Sequence, residues 1–446
     1  MKKYKKRYFL FIIAICINIF SACGISDDAT YWNQENELPD EDNRSYILNN
    51  DYTDEKRKQL LKEDIEFLRK ELPRKHVNMY DNISWEEFNN QVVHLKNRVD
   101  RLENEEVFVE MDKIIAQIGD AHTHTDSFNL YKYRYPVLFY KFNDGIYVIN
   151  ADKSLEDILY SKVVEINGMD INYVTEQFKT LVSHENDSHV NAMVAQLLTF
   201  PIYMYGLSIT SDYEEISVSF EKSDGEVVEK VIPSTTSDKV DLCISYEDDR
   251  SVYVYDKDKE EYYWYEYLPE HNTLYFKYNV CRDMDAIPFS RFNHNMFNQI
   301  KDLQTDKIVV DLRSNGGGST NIIIPFLESL SDFISKNPET EIFIIAGRNT
   351  FSAGADCILD IKKVADNYGK SPAVLIGEPT GGSPNCYGEV LSFELPNSKI
   401  KVSYSTKYYK LTDDGALTIT PDVELSPSVN DFKENKDVFM DYILKK

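Results

Sequence analysis

The sequence predicts an α/β protein, and three observations carry the prediction. Short apolar runs at residues 307–312 (KIVVDL), 341–346 (EIFIIA) and 373–377 read as buried strands. Helical patterns fill the gaps between them, at about residues 319–334 and 353–367. Strand and helix in alternation are the βαβ rhythm of a layered α/β core. The third observation is size and composition: 446 residues, 42% hydrophobic and 28% charged, suit two or three packed units with a sizeable core.

The chain opens with an export signal. Lys2, Lys3, Lys5, Lys6 and Arg7 precede an apolar run at residues 8–20, and Ser21-Ala22-Cys23-Gly24 follow. A basic region, an apolar region and small residues before a cut site define a secretory signal. The cysteine after them resembles a bacterial lipobox, with Phe20 where leucine is usual. Residues 1–22 are therefore expected to be removed, and Cys23 to carry the lipid that holds the protein on the extracytoplasmic face of the cell membrane. An uncleaved anchor is the other reading, although the apolar run is short for a span; the body is exported in both. Losing the five basic residues moves the net charge from −26 to about −31, which repels nucleic acid and anionic lipid. Of the cysteines, Cys243, Cys281, Cys357 and Cys386 are widely spaced with no CxxC, so neither a zinc site nor a disulfide framework is indicated.

Residues 23–50 are polar and acidic, and read as a flexible tether. Residues 51–125 form a helical segment. Leu60, Leu61, Ile65 and Leu68 mark a first helix ending before Pro73, Ser84 and Glu87 form the capping box of a second, and a third covers residues 108–118 up to Gly119. Residues 133–235 read as strands and turns, with hairpins around Asn143-Asp144-Gly145 and Ser223-Asp224-Gly225. The strand at 162–166 and the Asn167-Gly168 turn after it resemble a PDZ-type strand-turn. Residues 256–267, charged and aromatic, read as an insertion or linker. The core occupies residues 270–430, closed by strands at 390–395, 399–404 and 417–420.

Two strand ends carry the chemistry. Residues 341–346 lead through Gly347-Arg348-Asn349-Thr350 into Phe351-Ser352-Ala353-Gly354, where a helical pattern begins. A serine at a strand–turn–helix junction sits where helix N-terminal amides converge and can stabilise developing negative charge. Residues 307–312 lead into Arg313-Ser314-Asn315-Gly316-Gly317-Gly318, where the glycines let backbone approach a ligand closely. A nucleophile on one turn and free amides on another are the parts of an acyl-transfer site. Taken singly, Ser352 would be an ordinary N-cap and the glycines a plain loop.

Taken together these motifs resemble the S41 serine peptidases, the family of tail-specific (C-terminal processing) proteases and tricorn. The resemblance rests on residues 310–318, on Thr350-Phe351-Ser352-Ala353-Gly354, on Ile376-Gly377-Glu378-Pro379-Thr380-Gly381-Gly382, on Thr420-Pro421-Asp422-Val423, and upstream on Ile118-Gly119-Asp120-Ala121-His122-Thr123. It covers roughly residues 55–430. It implies a crotonase/ClpP-like αβ core, a PDZ-like β module suited to residues 133–235, a peptide or protein substrate, and no cofactor. Tail-specific proteases use a Ser/Lys dyad, but the segment that would hold the lysine is Gly381-Gly382-Ser383-Pro384 here. Lys362 and Lys363 lie two to three turns along the helix from Ser352, too far to reach back. The chain is therefore similar to the tricorn-type branch, with Ser352 as nucleophile, His122 as base, and the amides of Gly317 and Ala353 for the oxyanion. Asp120, Glu378, Glu389 and Asp422 are all candidates to orient His122.

Two other classes stand beside this reading. One is an inactive peptide-binding lipoprotein of the same fold, against which the intact Ser352, His122 and Gly317 argue. The other is a metal-dependent amidohydrolase, since Asp120-x-His122-x-His124 would share one face of an extended strand. His76, His94, His184, His189, His271 and His294 sit in no motif and read as surface or packing residues; Cys386 and Tyr387 fall near the expected cleft.

Overall fold

The computed structural model describes residues 52–244 and 261–446. The expected signal, Cys23 and the tether lie outside them, as do residues 256–260.

The α/β core is where the sequence placed it. Strands Thr273–Tyr278, Lys307–Asp311, Glu341–Ala346, Val374–Gly377 and Val423–Glu424 pair in parallel in that order. Both faces are covered, which is why these strands are apolar without alternation. Ile308, Val310, Ile342 and Ile344 point to one face, against helices Phe289–Ile300, Ile324–Lys336 and Ala353–Tyr368. Val309, Phe343 and Ile345 point to the other, against Phe439, Met440 and Ile443 of the helix Val438–Leu444. Residues 263–267 are no linker: the strand Tyr263–Leu268 pairs antiparallel with Thr273–Tyr278 and forms an edge of this sheet. Tyr263, Tyr265 and Tyr267 pack on one face and Trp264 and Leu268 on the other, as the pleat dictates. Residues 417–420 are not a strand; Val423–Glu424 takes that place beside Val374–Gly377.

The N-terminal segment holds helices Asp54–Lys75, Trp85–Arg98 and Asn104–Ala116. The first runs through Pro73 rather than ending before it, since a proline in the last turn removes only one hydrogen bond, and His76 N–H still reaches Leu72 O at 3.0 Å. The Ser84/Glu87 capping box is present. The third helix starts earlier than expected because Glu103 and Glu106 form a second box.

Between segment and core, an antiparallel sheet runs Val137–Phe142, Gly145–Ala151, Lys162–Ile166, Glu215–Glu221, Val227–Pro233, with both expected hairpins in place. Three helices interrupt what read as strands and turns: Ile171–Lys179, Asp187–Leu197 and Pro201–Gly206. Asp187–Leu197 buries Val190, Ala192, Met193, Val194, Ala195 and Leu197 around its circumference, so it lacks the amphipathic stripe that betrays a helix. The late strands Asn385–Glu394 and Lys401–Lys410 do not extend the core sheet. They pair with each other and with His124–Thr125 in a separate antiparallel sheet.

Phe326 is fully buried under the parallel sheet, with its ring 5.0 Å from that of Phe276. Phe326→Ala should cost about 3–5 kcal/mol, read as a lower urea midpoint with fluorescence or circular dichroism.

Candidate active site

Asn315 ties the glycine turn to the turn that carries Ser352. Its N–H donates to Leu312 O at 2.9 Å and its carbonyl accepts from Phe351 N–H at 2.9 Å. Its side-chain nitrogen donates to Tyr278 O and its Oδ1 accepts from Gly317 N–H, each at 2.9 Å. Thr350 adds a second staple, donating to Leu312 O at 2.8 Å and accepting from Gly347 N–H at 3.0 Å. A Cβ on Gly317 would stand 2.7 Å from Ser352 Cβ and 3.0 Å from Phe351 O, so only glycine fits. Its φ of +105° demands glycine independently.

Ser352 precedes the helix Ala353–Tyr368 with φ 51° and ψ −131°, a region that costs a non-glycine residue of the order of 1–3 kcal/mol. Its hydroxyl caps nothing, so the ordinary N-cap reading fails. The amides need one revision. The Gly317 N–H, expected to point at an oxyanion, is already donated to Asn315 Oδ1. Gly317 contributes close approach instead. Gly318 follows in a bridge to Cys281 whose two hydrogen bonds use Gly317 O and Ser319 N–H, so the bridge does not engage the Gly318 N–H among the described residues.

His122 is buried, and its ring packs on Phe351, the residue before Ser352, at a centroid distance of 4.7 Å. Of the four carboxylates considered, Asp120 faces it, with Oδ1 3.7 Å from His122 Nδ1. Asp120 Oδ1 accepts the His122 N–H at 2.9 Å; Oδ2 accepts from Thr123 Oγ1 at 2.5 Å and pairs with His76 Nε2 at 3.0 Å. The Asn78 N–H donates to His76 Nδ1 at 3.1 Å, which leaves the His76 proton on Nε2, directed at Asp120. Burial alone would raise the Asp120 pKa, but hydrogen bonds from His122 and His76 outweigh it and hold the carboxyl well below the usual range.

The segment 183–189 clasps this assembly. Ser183 Oγ donates to Asp120 O at 2.6 Å, and Glu185 Oε1 accepts the Ala121 N–H at 3.2 Å. Asn186 donates to Gly381 O at 2.9 Å and Leu417 O at 2.8 Å, and Ser188 to Pro379 O at 2.8 Å. His189 stacks on Phe351 at 5.0 Å, and burial pushes its pKa down to about 3.

The remaining candidates are engaged elsewhere. Glu378 pairs with Arg348, Glu389 is exposed and accepts from Tyr409, and Asp422 binds Lys362 at 2.8 Å. Lys362 is thus tied away from Ser352, and Lys363 is exposed. Residues 120–123 make a turn, closed by Thr123 N–H to Asp120 O at 2.8 Å, so His122 and His124 do not share the extended face a His-x-His metal site needs. Tyr387 bonds Asp81 at 2.7 Å and Asn78 at 2.9 Å, steadying the loop that carries His76. Reading motifs missed His76, Glu185 and His189, because each lies far in sequence from the residues it serves.

No family model and no curated protein matches the sequence. Among solved structures, mature CPAF is similar at 11% identity, over 87% of this chain and 96% of that one, with a TM-score of 0.59. Mature CPAF complexed with lactacystin gives 11%, 87%, 97% and 0.58. The tricorn protease gives 13% identity over 87% of this chain and 36% of that one, with a TM-score of 0.38. The likeness to CPAF shows the fold, and the S41 resemblance read from the motifs is borne out at that level.

Gly317→Ala should slow labelling of Ser352 by a fluorophosphonate about 100-fold, because the added methyl must push the nucleophile turn aside. Labelling rates against time, on protein with unchanged circular dichroism, check this.

Proposed function

We propose that this chain is an exported, lipid-anchored serine endopeptidase in which Ser352 is the nucleophile, His122 the base and Asp120 the carboxylate that orients the base. The observation that carries the reading is the backbone of Ser352. A serine held at φ 51° and ψ −131° at a helix start, with its hydroxyl withheld from capping, stores strain that plain packing does not require.

In this reading Ser352 Oγ attacks the substrate carbonyl as its proton passes to His122. Asp120, fixed by its other donors, receives the His122 Nδ1–H; the 3.7 Å gap closes to a hydrogen bond as the imidazolium forms. The oxyanion is held by Ala353 N–H, at the helix start, and by Gly318 N–H. His122 then returns the proton to the leaving amine, and water repeats the sequence on the acyl-enzyme. The strand Asn385–Glu394 is the outer strand of its sheet, and Val390 packs with Phe351 and Ala121, so an extended peptide added along its free edge would pass the nucleophile. The anchor is the lipid on Cys23.

A fluorophosphonate probe should label the purified ectodomain and fail to label Ser352→Ala. Ser352→Ala and His122→Ala should each lower kcat by roughly three orders of magnitude or more, and the double variant should be little worse, since the two act as one unit. Lys362→Ala should keep its activity; loss there with His122→Ala active would assign the base to a lysine. Activity should fall on acidification, because a protonated imidazole cannot accept the serine proton. Separately, Cys23→Ser should abolish incorporation of labelled palmitate, and unchanged incorporation would remove the anchor from the proposal.

A further inference from the structure

Asp120, His122 and Glu185 each bring one side-chain donor atom within 4.8 Å of the other two. Two carboxylates thus share one imidazole, and they are held differently. Both oxygens of Asp120 are spent on donors from His122, Thr123 and His76. Glu185 takes only the Ala121 N–H on Oε1, while its Oε2 is screened from solvent and accepts no hydrogen bond among the described residues. Asp120 therefore fixes geometry. The Glu185 charge is not absorbed by hydrogen bonds and acts on the ring beside it.

We propose that Glu185 is a positioning residue for the peptidase reaction: its charge sets the proton affinity of His122. The proposal rests on the serine-peptidase reading above. An anion within about 4–6 Å of an imidazole raises its pKa by roughly 1–3 units, because it favours the imidazolium. The same anion stabilises the imidazolium formed when Ser352 gives up its proton. Burial, with the Asp120 charge beside it, pushes the Glu185 pKa up to about 7, so this carboxyl changes charge in the neutral range. Of the other titratable groups, Asp356 on the Ser352 helix, where burial pushes the carboxyl up to about 7, acts on His122, His76 lies behind Asp120, and His189, itself beside His184 and His124, acts on His122. Burial holds His189 neutral, so it supplies no competing cation.

The sign is fixed. Replacing Glu185 by glutamine removes the anion, disfavours the imidazolium and lowers the His122 pKa. The acid limb of kcat/KM should move to lower pH by about one unit, with the plateau falling as the base weakens. KM should change little, because in this proposal Glu185 acts through His122.

The deciding experiment is an NMR titration of the ring nitrogens of His122 in Ser352→Ala protein, with Glu185 and with Glu185→Gln. It needs no turnover, so it separates this proposal from the peptidase reading. A downward shift of about one unit supports the proposal, with partial return in Glu185→Asp. An unmoved midpoint in protein whose other histidine resonances are unchanged overturns it. Should Glu185→Gln not fold, the protein with Glu185 intact decides: the labelled Glu185 carboxyl and the His122 ring must each show an inflection at the other's midpoint, and independent curves overturn the coupling.

Discussion

Asn315, through its backbone carbonyl and its side chain together, is the joint on which the site depends. Two strands of a parallel sheet end side by side, and each end must turn without leaving buried backbone unpaired. Asn315 satisfies both turns at once, through Phe351 N–H on one side and Gly317 N–H and Tyr278 O on the other. The strained serine can persist only because this joint and the Thr350 staple over-determine the turn around it. A Cβ on Gly354 would come within 2.5 Å of Asn315 O, which explains a glycine two residues after Ser352.

The second constraint is the placement of His122, the proposed base. His122 belongs to a turn between the last N-terminal helix and a two-residue strand, outside the core sheet. It is fixed from two sides, by His76 and Thr123 through Asp120, and by the segment 183–189. That segment touches Asp120, Ala121, Phe351, Pro379 and Gly381. One hydrophobic cluster runs from the N-terminal helices through the middle sheet to Leu395, Ile400, Val402 and Tyr404. The middle unit is therefore packed into the site's support and is not an appendage to it.

Electrostatically, the site divides its labour between two carboxyls whose environments push them apart. Donors hold Asp120 ionised despite its burial, while burial, with a negative neighbour and few donors, pushes Glu185 the other way.

The sequence by itself determined the parallel core, because strands buried on both faces read as apolar runs between glycine-rich turns. It also singled out Ser352, the glycine turn and His122 as candidates, since a sharp turn and a close approach each demand particular residues at fixed local spacing. The helix Asp187–Leu197 stayed hidden because burial on all sides erases periodicity, and the edge strand Tyr263–Leu268 because its charged, aromatic run reads as a linker. Only tertiary structure chose Asp120 among four carboxylates, turned the Gly317 amide inward, and brought His76, Glu185 and His189 to the site. Asp120 and the Gly317 amide are set by turns two residues from His122 and Asn315, while His76, Glu185 and His189 arrive across 44 to 162 positions, as from His76 to Asp120 and from His189 to Phe351. Local pattern carries no information about such separations; packing alone sets them.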